Sequence, residues 1–389
     1  MIPYGRQDIT QEDIDAVTAV LRSDFLTQGP TIARFEEAVA TRVGAQRGVA
    51  VNSATSALHI ACMALGLGPG DRLWTVPNTF VASANCARYC GADVDFVDID
   101  PVTWNMSVTA LSGKLAQTQR QDLPKIVVPV HFAGQPTEQQ AIRALAQQYG
   151  FKILEDASHS IGGSRNGEPV GSCRWSDVTV FSFHPVKIVT TAEGGMALTN
   201  DAELAERMAM LRTHGITRDA ARYCGNADAA PPPWYYEQQM LGFNYRMTDV
   251  HAVLGLSQLR RLDTYIQRRN ELARRYDRLL AGLPLRLPVV RAENVSAFHL
   301  YAVRLHRGAV SKSHHQLFDE LRRRGVGVNV HYIPVHLQPY YRALGFRPGQ
   351  FPESEAHGAE ALTLPLYPTL SDSDQDRVVD ALRGALTDG

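Results

Sequence analysis

The feature that most constrains the fold is the alternation of short apolar segments with helical patterns over roughly the first 250 residues. Gly48 to Asn52 predicts a strand, and the helical pattern after it places Leu58, Cys62 and Leu65 on one face. Further strand candidates are the segments RLWTVP, DVDFVDID, KIVVPVHF and FKILED. This alternation is typical of a mostly parallel sheet with helices on both faces, in which ligands bind at the carboxyl ends of strands.

The pattern changes after about residue 225, where a segment rich in proline and aromatic residues fits no regular element. A long helical stretch follows. Its arginines are expected to form a solvated face, and they are Arg260, Arg261, Arg268, Arg269, Arg274 and Arg275. After Pro284 we expect a strand (HLYAVRL), a helix (HHQLFDELRRRG) and a second strand (VGVNVHY). With 389 residues the chain predicts two domains, a large one over residues 1–250 and a long helix with a smaller α+β domain over 251–389.

Charge and composition argue against several classes of function. The net charge is -1, so no basic excess exists to bind nucleic acid. No apolar run approaches the roughly 20 residues that span a bilayer. The five cysteines follow a start without a signal-peptide pattern, which predicts a reduced, cytoplasmic protein. Cys86 and Cys90 are expected to pack in a core, and no metal site is predicted.

Lys187 is the first residue that suggests chemistry. It follows an alternating β pattern that ends at Phe183, and it precedes a flexible Glu193-Gly194-Gly195. A lysine with apolar neighbours in a strand-end loop can be desolvated, which lowers the pKa of its amine and makes it a Schiff-base nucleophile. The alternative interpretation is an ordinary surface lysine.

Two further groups follow strands. Asp156, at the end of FKILED, could hold a proton on a pyridine nitrogen or simply cap the next turn. Ser53, Thr55 and Ser56 open a helix whose free N–H groups could bind a phosphate, although N-capping alone would explain them.

The order of these signals along the chain predicts a pyridoxal 5'-phosphate site. A helix start that suits a phosphate is followed by Phe80, then Asp156, then Lys187, all placed where strands end. Phe80 could lie flat on the cofactor ring, and Ser182 could add a hydroxyl to the phosphate.

The chain resembles the DegT/StrS-type sugar aminotransferases over nearly its whole length. The motifs that carry the resemblance are LTQGPTIARFEE, NSATSALHIA, PNTFVASAN, PVHFAGQ, EDASHSIGG, SFHPVK, EGGM and GFNYRMTDVHAVLGLSQL. The resemblance implies an α/β fold of the aspartate-aminotransferase type, in which a mostly parallel central sheet is sandwiched by helices and followed by a smaller α+β C-terminal domain.

The resemblance also implies roles for individual residues. Lys187 would be the Schiff-base lysine, Asp156 the partner of the pyridine nitrogen, and His159 a catalytic neighbour of the cofactor. The remaining cofactor contacts would be Ala54, Thr55, Phe80, Ser182 and, from the neighbouring subunit of a homodimer with shared active sites, Asn244. The substrate-side residues would be Tyr4, Thr27, Gly29, Arg246, His331 and Tyr332, although a Tyr or His there could instead satisfy a core hydrogen bond.

Within the family, the stretches IPYGRQDI, SFHPVKIVTTAEGG and VNVHYIPVH most resemble transaminases that make UDP-4-amino-4,6-dideoxy-N-acetyl-β-L-altrosamine for pseudaminic acid. This implies transfer of an amino group from L-glutamate to C4 of a UDP-linked 4-keto-6-deoxy-N-acetylhexosamine, with pyridoxamine phosphate as the intermediate cofactor form. The alternatives are a dTDP- or GDP-linked sugar, a 3-keto sugar, a sugar dehydratase or a non-catalytic regulatory protein. Lys187 argues against a dehydratase, because those relatives carry histidine there. The role of residues 221–239 stays open between a nucleotide pocket and a dimer contact.

Overall fold

The fold is seen in a computed structural model that describes residues 1–224, 231–306 and 308–387. Its helices are α1 Gln11–Leu21, α2 Pro30–Val43, α3 Ala54–Ala64, α4 Ala82–Tyr89, α5 Val108–Gln117, α6 Gln139–Tyr149, α7 Ala202–Leu211, α8 Asp249–Leu259, α9 Leu262–Leu279, α10 His314–Arg323, α11 Pro339–Ala343, α12 Pro352–Glu360 and α13 Asp372–Thr387. Its strands are β1 Arg47–Val51, β2 Arg72–Thr75, β3 Asp93–Phe96, β4 Ile126–Val127, β5 Lys152–Asp156, β6 Ser164–Arg165, β7 Glu168–Pro169, β8 Val178–Ser182, β9 Gly195–Thr199, β10 Ile216–Thr217, β11 Glu237–Gln238, β12 Leu285–Arg286, β13 Asn294–Val295, β14 Tyr301–Leu305 and β15 Ala361–Leu364.

A seven-stranded sheet in the order β1-β9-β8-β5-β4-β2-β3 forms the centre of the molecule. Only β9 runs against its neighbours, so the predicted α/β fold with a mostly parallel sheet is confirmed. All five residues of β8 are buried, and the expected alternation up to Phe183 is therefore wrong. The reason is that helices cover both faces of the sheet, which leaves neither side of a central strand in water.

The strand directions bring the candidate residues to one edge of this sheet. β5 ends at Asp156, and β8, its parallel neighbour, ends at Ser182. β1 has the same direction, because β9 is antiparallel to both β1 and β8, so the start of α3 also lies at this edge. β9 begins here, and Gly195 pairs with both Val51 and Ser182.

The C-terminal part has its own sheet and its own core. β12, β14 and β15 form a three-stranded antiparallel sheet, and its apolar side packs against α9, α10 and α13. Ile2 also packs in this core, and its backbone pairs with Val326. The predicted boundary between residues 1–250 and 251–389 remains a prediction.

Two expectations for the second half of the chain are wrong. VGVNVHY is not a strand, because the pairs Ile2 with Val326 and Asn329 with Thr363 are isolated bridges to different partners. The long helical stretch is divided into α8 and α9, with a break at Arg260 and Arg261.

The arginines of this stretch do not all face water. Arg269 is only 1% exposed, and its Nη1 donates to three backbone carbonyls that lie beneath α9. None of the helices in the described residues is both long enough and apolar enough to cross a membrane.

Candidate active site

A cavity of about 450 Å³ lies at the edge of the sheet where β5 and β8 end. Its wall contains most of the residues that the sequence singled out: Tyr4, Ala54, Thr55, Phe80, Asp156, His159, Ser182, Lys187, His331 and Tyr332. Elements from both halves of the chain contribute to it, so the cavity is a product of the tertiary fold.

Lys187 lies in a tight turn after β8. Its N–H donates to the carbonyl of His184 at 2.9 Å, and Pro185 favours the backbone angle that such a turn needs. No hydrogen bond or ion pair joins its amine to another described residue. Burial lowers the pKa of this amine to about 8, and the negative charge of Asp156 opposes the shift. These properties favour a reactive amine over the alternative of a surface lysine.

Asp156 is 5% exposed, and its carboxylate is oriented by three hydrogen bonds. Ser83 Oγ donates to Oδ2 at 2.6 Å, while the N–H and Oγ of Ser158 donate to Oδ1 at 3.1 and 2.6 Å. The bonds from Ser158 are the turn cap that the sequence left as an alternative. A carboxylate can accept about four hydrogen bonds, so capacity remains for one further donor.

The start of α3 forms a second polar wall of the cavity. Ser53 caps the helix by accepting the N–H of Ser56 at 3.1 Å, as the N-capping alternative required. The N–H groups of Ala54 and Thr55 precede the first helical hydrogen bonds and have no partner within the helix. The hydroxyls of Thr55 and Ser182 also have no hydrogen-bond partner among the described residues.

These donors fit the phosphate of pyridoxal phosphate. A helix N-terminus with free N–H groups attracts an anion, and two unpartnered hydroxyls supply additional donors. The amine of Lys187 and the carboxylate of Asp156 line the same cavity and can serve the aldehyde and the ring nitrogen of that cofactor.

His159 is held by hydrogen bonds at both ring nitrogens. The N–H of Ala133 donates to Nδ1 at 3.3 Å, so the neutral ring carries its proton on Nε2 and donates it to Tyr332 Oη at 3.1 Å. Burial and the charge of Lys187 hold the pKa of His159 well below its usual value. His159 is therefore a neutral ring, and Tyr332 keeps its own phenolic proton to donate.

His331 is similarly neutral. Its Nδ1 lies 2.8 Å from the hydroxyl of Thr363, and its ring is 5.6 Å from that of Tyr4. Burial, with the charge of Lys187, lowers the pKa of His331 to about 3.

Phe80 is 58% exposed at the cavity, with its ring centroid 6.4 Å from that of Tyr332. Its ring lines the cavity and is open to solvent, so a ligand in the cavity can contact it.

Several cavity residues were missed by sequence reasoning. Ser83, which orients Asp156, follows Phe80 by three residues, and that helical spacing could have found it. Other residues of the cavity wall that were missed are Ser158, His184, Glu193, His299 and Asn329. His299 and Asn329 belong to the second half of the chain, and no local pattern indicates their approach to Lys187.

Four predicted residues lie outside the cavity of the single chain. Thr27 pairs with Thr248, Arg246 pairs with Val51, and Asn244 is exposed beside Thr213. The N–H of Gly29 donates to Asp249 Oδ2 at 2.8 Å, and a Cβ at Gly29 would come within 2.8 Å of Oδ1 of the same carboxylate.

The described residues contain no group of three or more side chains arranged to hold a metal ion. Cys86 is buried in the core next to α3, and Cys90 is half-buried at the end of α4. Of residues 221–239, those numbered 225–230 lie outside the described residues, and the role of the segment stays open.

Comparison with known proteins identifies the family of the chain. The model of the DegT/DnrJ/EryC1/StrS aminotransferase family matches residues 7–383. The spore coat polysaccharide biosynthesis protein SpsC of Bacillus subtilis is 40% identical over 386 residues, which cover 98% of this chain and 96% of that protein.

Solved structures agree in fold over the whole chain. A protein described as a sugar aminotransferase, Spr1654 of Streptococcus pneumoniae in its PMP form, superposes with a TM-score of 0.90 at 30% identity, covering 100% of both chains. PseC of Helicobacter pylori, an aminotransferase involved in pseudoaminic acid biosynthesis, gives 0.89 at 28% identity, again over 100% of both chains.

Proposed function

Because the chain belongs to the DegT/DnrJ/EryC1/StrS aminotransferase family, we propose that it transfers the amino group of L-glutamate to C4 of a UDP-linked 4-keto-6-deoxy-N-acetylhexosamine. The product would be UDP-4-amino-4,6-dideoxy-N-acetyl-β-L-altrosamine, a precursor of pseudaminic acid. The enzyme is a sugar aminotransferase that depends on pyridoxal phosphate. What we propose beyond this is the identity of the amino donor, of the nucleotide and of the sugar.

The observation that carries this function is the cavity that contains Lys187, Asp156 and the start of α3 together. An amine with a lowered pKa, an oriented carboxylate and an anion site are the three groups that the cofactor needs. The likeness to the Helicobacter enzyme, named for pseudoaminic acid biosynthesis, supports the choice of sugar.

We assign the cofactor contacts as follows. Ala54, Thr55 and Ser182 would hold the phosphate through backbone N–H groups and hydroxyls, and Asp156 would pair with the protonated ring nitrogen. Phe80 and His159 would contact the ring, since both line the cavity. When bound, the cofactor supplies an electron sink for the bond that breaks at the donor carbon.

Lys187 is the group that we assign to proton transfer. Its Nζ would hold the cofactor before reaction, and the amine, once free, would take the α proton of the donor and, in the second half of the exchange, give a proton to C4 of the sugar. The lowered pKa of about 8 leaves a useful fraction of this amine neutral near pH 7 and hence able to accept a proton.

The sugar would contact the residues around the mouth of the cavity. Tyr332 Oη–H remains free to donate, because His159 donates to that oxygen and does not take its proton. Burial and the charge of Asp156 raise the pKa of Tyr332, so it acts as a hydrogen-bond donor and stays a phenol. His331 and Tyr4 would also contact the sugar.

We further propose a homodimer with shared active sites. Asn244, Arg246, Thr27 and Gly29 form one surface, since the Thr27–Thr248 pair and the bond from Gly29 join their segments. This surface lies outside the cavity of its own chain, and Asn244 is exposed, so these residues can serve the site of a second copy. Exposed apolar side chains of the same region support burial against a partner: Phe25, Leu26 and Leu241.

The test is a spectrum of the purified protein with pyridoxal phosphate, recorded before and after glutamate. Glutamate should convert the bound cofactor to its amine form, and the UDP-4-keto sugar should then restore the first spectrum. Restoration only by a dTDP- or GDP-linked sugar would reject the proposed substrate and favour that rival. No conversion by glutamate would reject the proposed donor. The cytoplasmic location stays a prediction.

A further inference from the structure

His299 lies in the wall of the cavity, and neither nitrogen of its ring has a hydrogen-bond partner among the described residues. The residue is 5% exposed, and Nδ1 is fully enclosed by the protein. Leaving a buried polar atom without a partner costs free energy, and native structures rarely do so without a reason. Because Nδ1 is enclosed, the nitrogen that a ligand in the cavity can reach is Nε2, which is not enclosed and has no partner among the described residues.

The other two buried imidazoles of the cavity differ from His299 in this respect. Both nitrogens of His159 are bonded within the chain, to Ala133 and to Tyr332. His331 is paired through Nδ1 with Thr363. The ring of His299 lies 4.5 Å from that of His159, so it is a direct neighbour of a residue that we place beside the cofactor.

The backbone around His299 is fixed from two sides. Arg269 Nη1 donates to the carbonyls of Phe298 and His299 at 3.1 and 3.2 Å. On the other side Gly134 accepts the N–H of Ala297 at 2.9 Å, and a Cβ at Gly134 would come within 2.6 Å of the nitrogen of Phe298. The backbone that carries the ring is thus held in place before any ligand arrives, which favours a binding residue.

The charges near His299 favour an electron-rich ligand atom. Arg269 is buried without an ion pair among the described residues, and its charge acts on the imidazole together with that of Lys187. Burial first, and these charges next, hold the pKa of His299 well below its usual value. The ring is therefore neutral, and one of its nitrogens carries a proton that it can donate to an oxygen.

Both substrates of the proposed reaction carry, next to the reacting carbon, an oxygen that can accept a hydrogen bond from this ring. In the amino donor the α-carboxylate is attached to the reacting carbon, and in a 4-keto sugar the carbon next to the ketone carries a hydroxyl. Among the described residues of the cavity wall, Lys187 is the only lysine or arginine, and it is engaged by the cofactor. A permanent cation would suit the carboxylate but would be left unpaired when the sugar binds, whereas a neutral donor suits both.

We propose that His299 is a substrate-binding residue, whose ring N–H donates to the oxygen beside the reacting carbon of the amino donor and then of the keto sugar. This inference rests on the proposed function, because it takes the two substrates from there.

The test compares His299→Phe with His299→Asn and His299→Gln in the holoenzyme. Phe keeps a flat aromatic ring and removes both nitrogens, while each amide places a donor near one of them. Conversion of the bound cofactor is followed by absorbance at rising glutamate concentration, which separates the dissociation constant of glutamate from the rate at saturation. His299→Phe should retain the cofactor and weaken glutamate binding by about 10- to 100-fold, the usual effect of leaving a buried partner unsatisfied. One of the two amide variants should recover most of that loss.

His336→Phe is the matched control. His336 is buried, its Nδ1 also lacks a partner, and it does not line the cavity. This variant should alter the melting temperature and leave glutamate binding unchanged.

A wild-type dissociation constant in His299→Phe would overturn the inference, and so would equal losses in all three His299 variants. If instead the wild type fails to respond to glutamate, the proposed function falls, and this result is separate from any difference between variants.

Discussion

Lys187 shows how burial prepares a single residue for chemistry. Its amine has no partner in the described chain, and desolvation brings its pKa to about 8. Its reactivity therefore depends on the cavity, because a lysine in water keeps its proton at neutral pH.

The rate at which the apoprotein captures pyridoxal phosphate should follow the titration of Lys187. Only the neutral amine attacks the aldehyde, so the rate should rise about tenfold per pH unit below pH 8 and level off above it. Stopped-flow absorbance measures this rate directly. Lys187→Ala should show no capture, whereas Lys152→Ala, which removes an exposed lysine, should behave as wild type. A rate that keeps rising to pH 10 would mean that the amine is not desolvated.

Ser83 is a positioning residue for Asp156, so removing its hydroxyl should weaken both cofactor binding and catalysis. Ser83→Ala removes the donor to Oδ2, so we expect affinity for pyridoxal phosphate and kcat each to fall by about tenfold. Equilibrium dialysis and steady-state kinetics measure the two effects.

Ser354→Ala provides the control for that variant. Ser354 is buried and donates to the carboxylate of Asp98 at 2.6 Å, and neither residue lines the cavity. It should lower stability and leave kcat unchanged. Equal effects of the two variants on kcat would contradict a specific role for Ser83.

At the scale of elements, the site depends on how closely β9 approaches the start of α3. A Cβ on Gly195 would come within 2.5 Å of the carbonyl oxygen of Ser53, so only glycine fits between the two elements. The sequence suggested that Gly194 and Gly195 make the chain flexible. In the structure, Gly195 instead allows β9 and the start of α3 to pack closely.

Gly195→Ala should push the start of α3 away and weaken phosphate binding. We expect a loss of about 1–3 kcal/mol in the free energy of unfolding, together with a higher dissociation constant for pyridoxal phosphate. Urea denaturation and cofactor titration check the two effects.

Gly113→Ala is the matched control. A Cβ there meets nothing within 4 Å in the middle of α5, and alanine should stabilise the helix by about 0.5–1 kcal/mol. A Gly195→Ala protein as stable as wild type would show that the approach of the two elements is looser than described.

At the scale of the whole molecule, the proposed dimer makes a quantitative prediction. Lys187→Ala removes the amine from its own cavity, and Asn244→Asp would place a negative charge beside the phosphate of the neighbouring site. Each variant alone should be inactive. Unfolded together in equal amounts and refolded, they should recover about one quarter of wild-type activity, since half of the dimers are mixed and each of those has one intact site.

The recovered activity distinguishes two arrangements. If each cavity is complete within one chain, mixing should recover nothing, because every site then carries one of the two substitutions. The mass of the refolded species, measured by light scattering, provides the control for assembly.

The local patterns of the sequence were sufficient for the fold class and for part of the lining of the candidate site. Strand and helix patterns, together with capping and turn residues, act over a few positions, so the parallel sheet and the places of Lys187, Asp156 and the start of α3 followed from them. The same local reasoning predicted a strand at VGVNVHY and a solvated Arg269, and both predictions were wrong. Burial and pairing of those residues depend on elements that are distant in the chain.

What the sequence by itself determined is the family, the cofactor and the residue types at the ends of the strands. Only the tertiary structure decided which side chains from the second half reach the cavity, and which of them keep an unpartnered polar atom there. His299 and Tyr332 become parts of the site because the C-terminal segments fold back over the sheet edge. The physical reason is that hydrogen-bond satisfaction and desolvation are properties of the packed chain, and no single stretch of residues contains them.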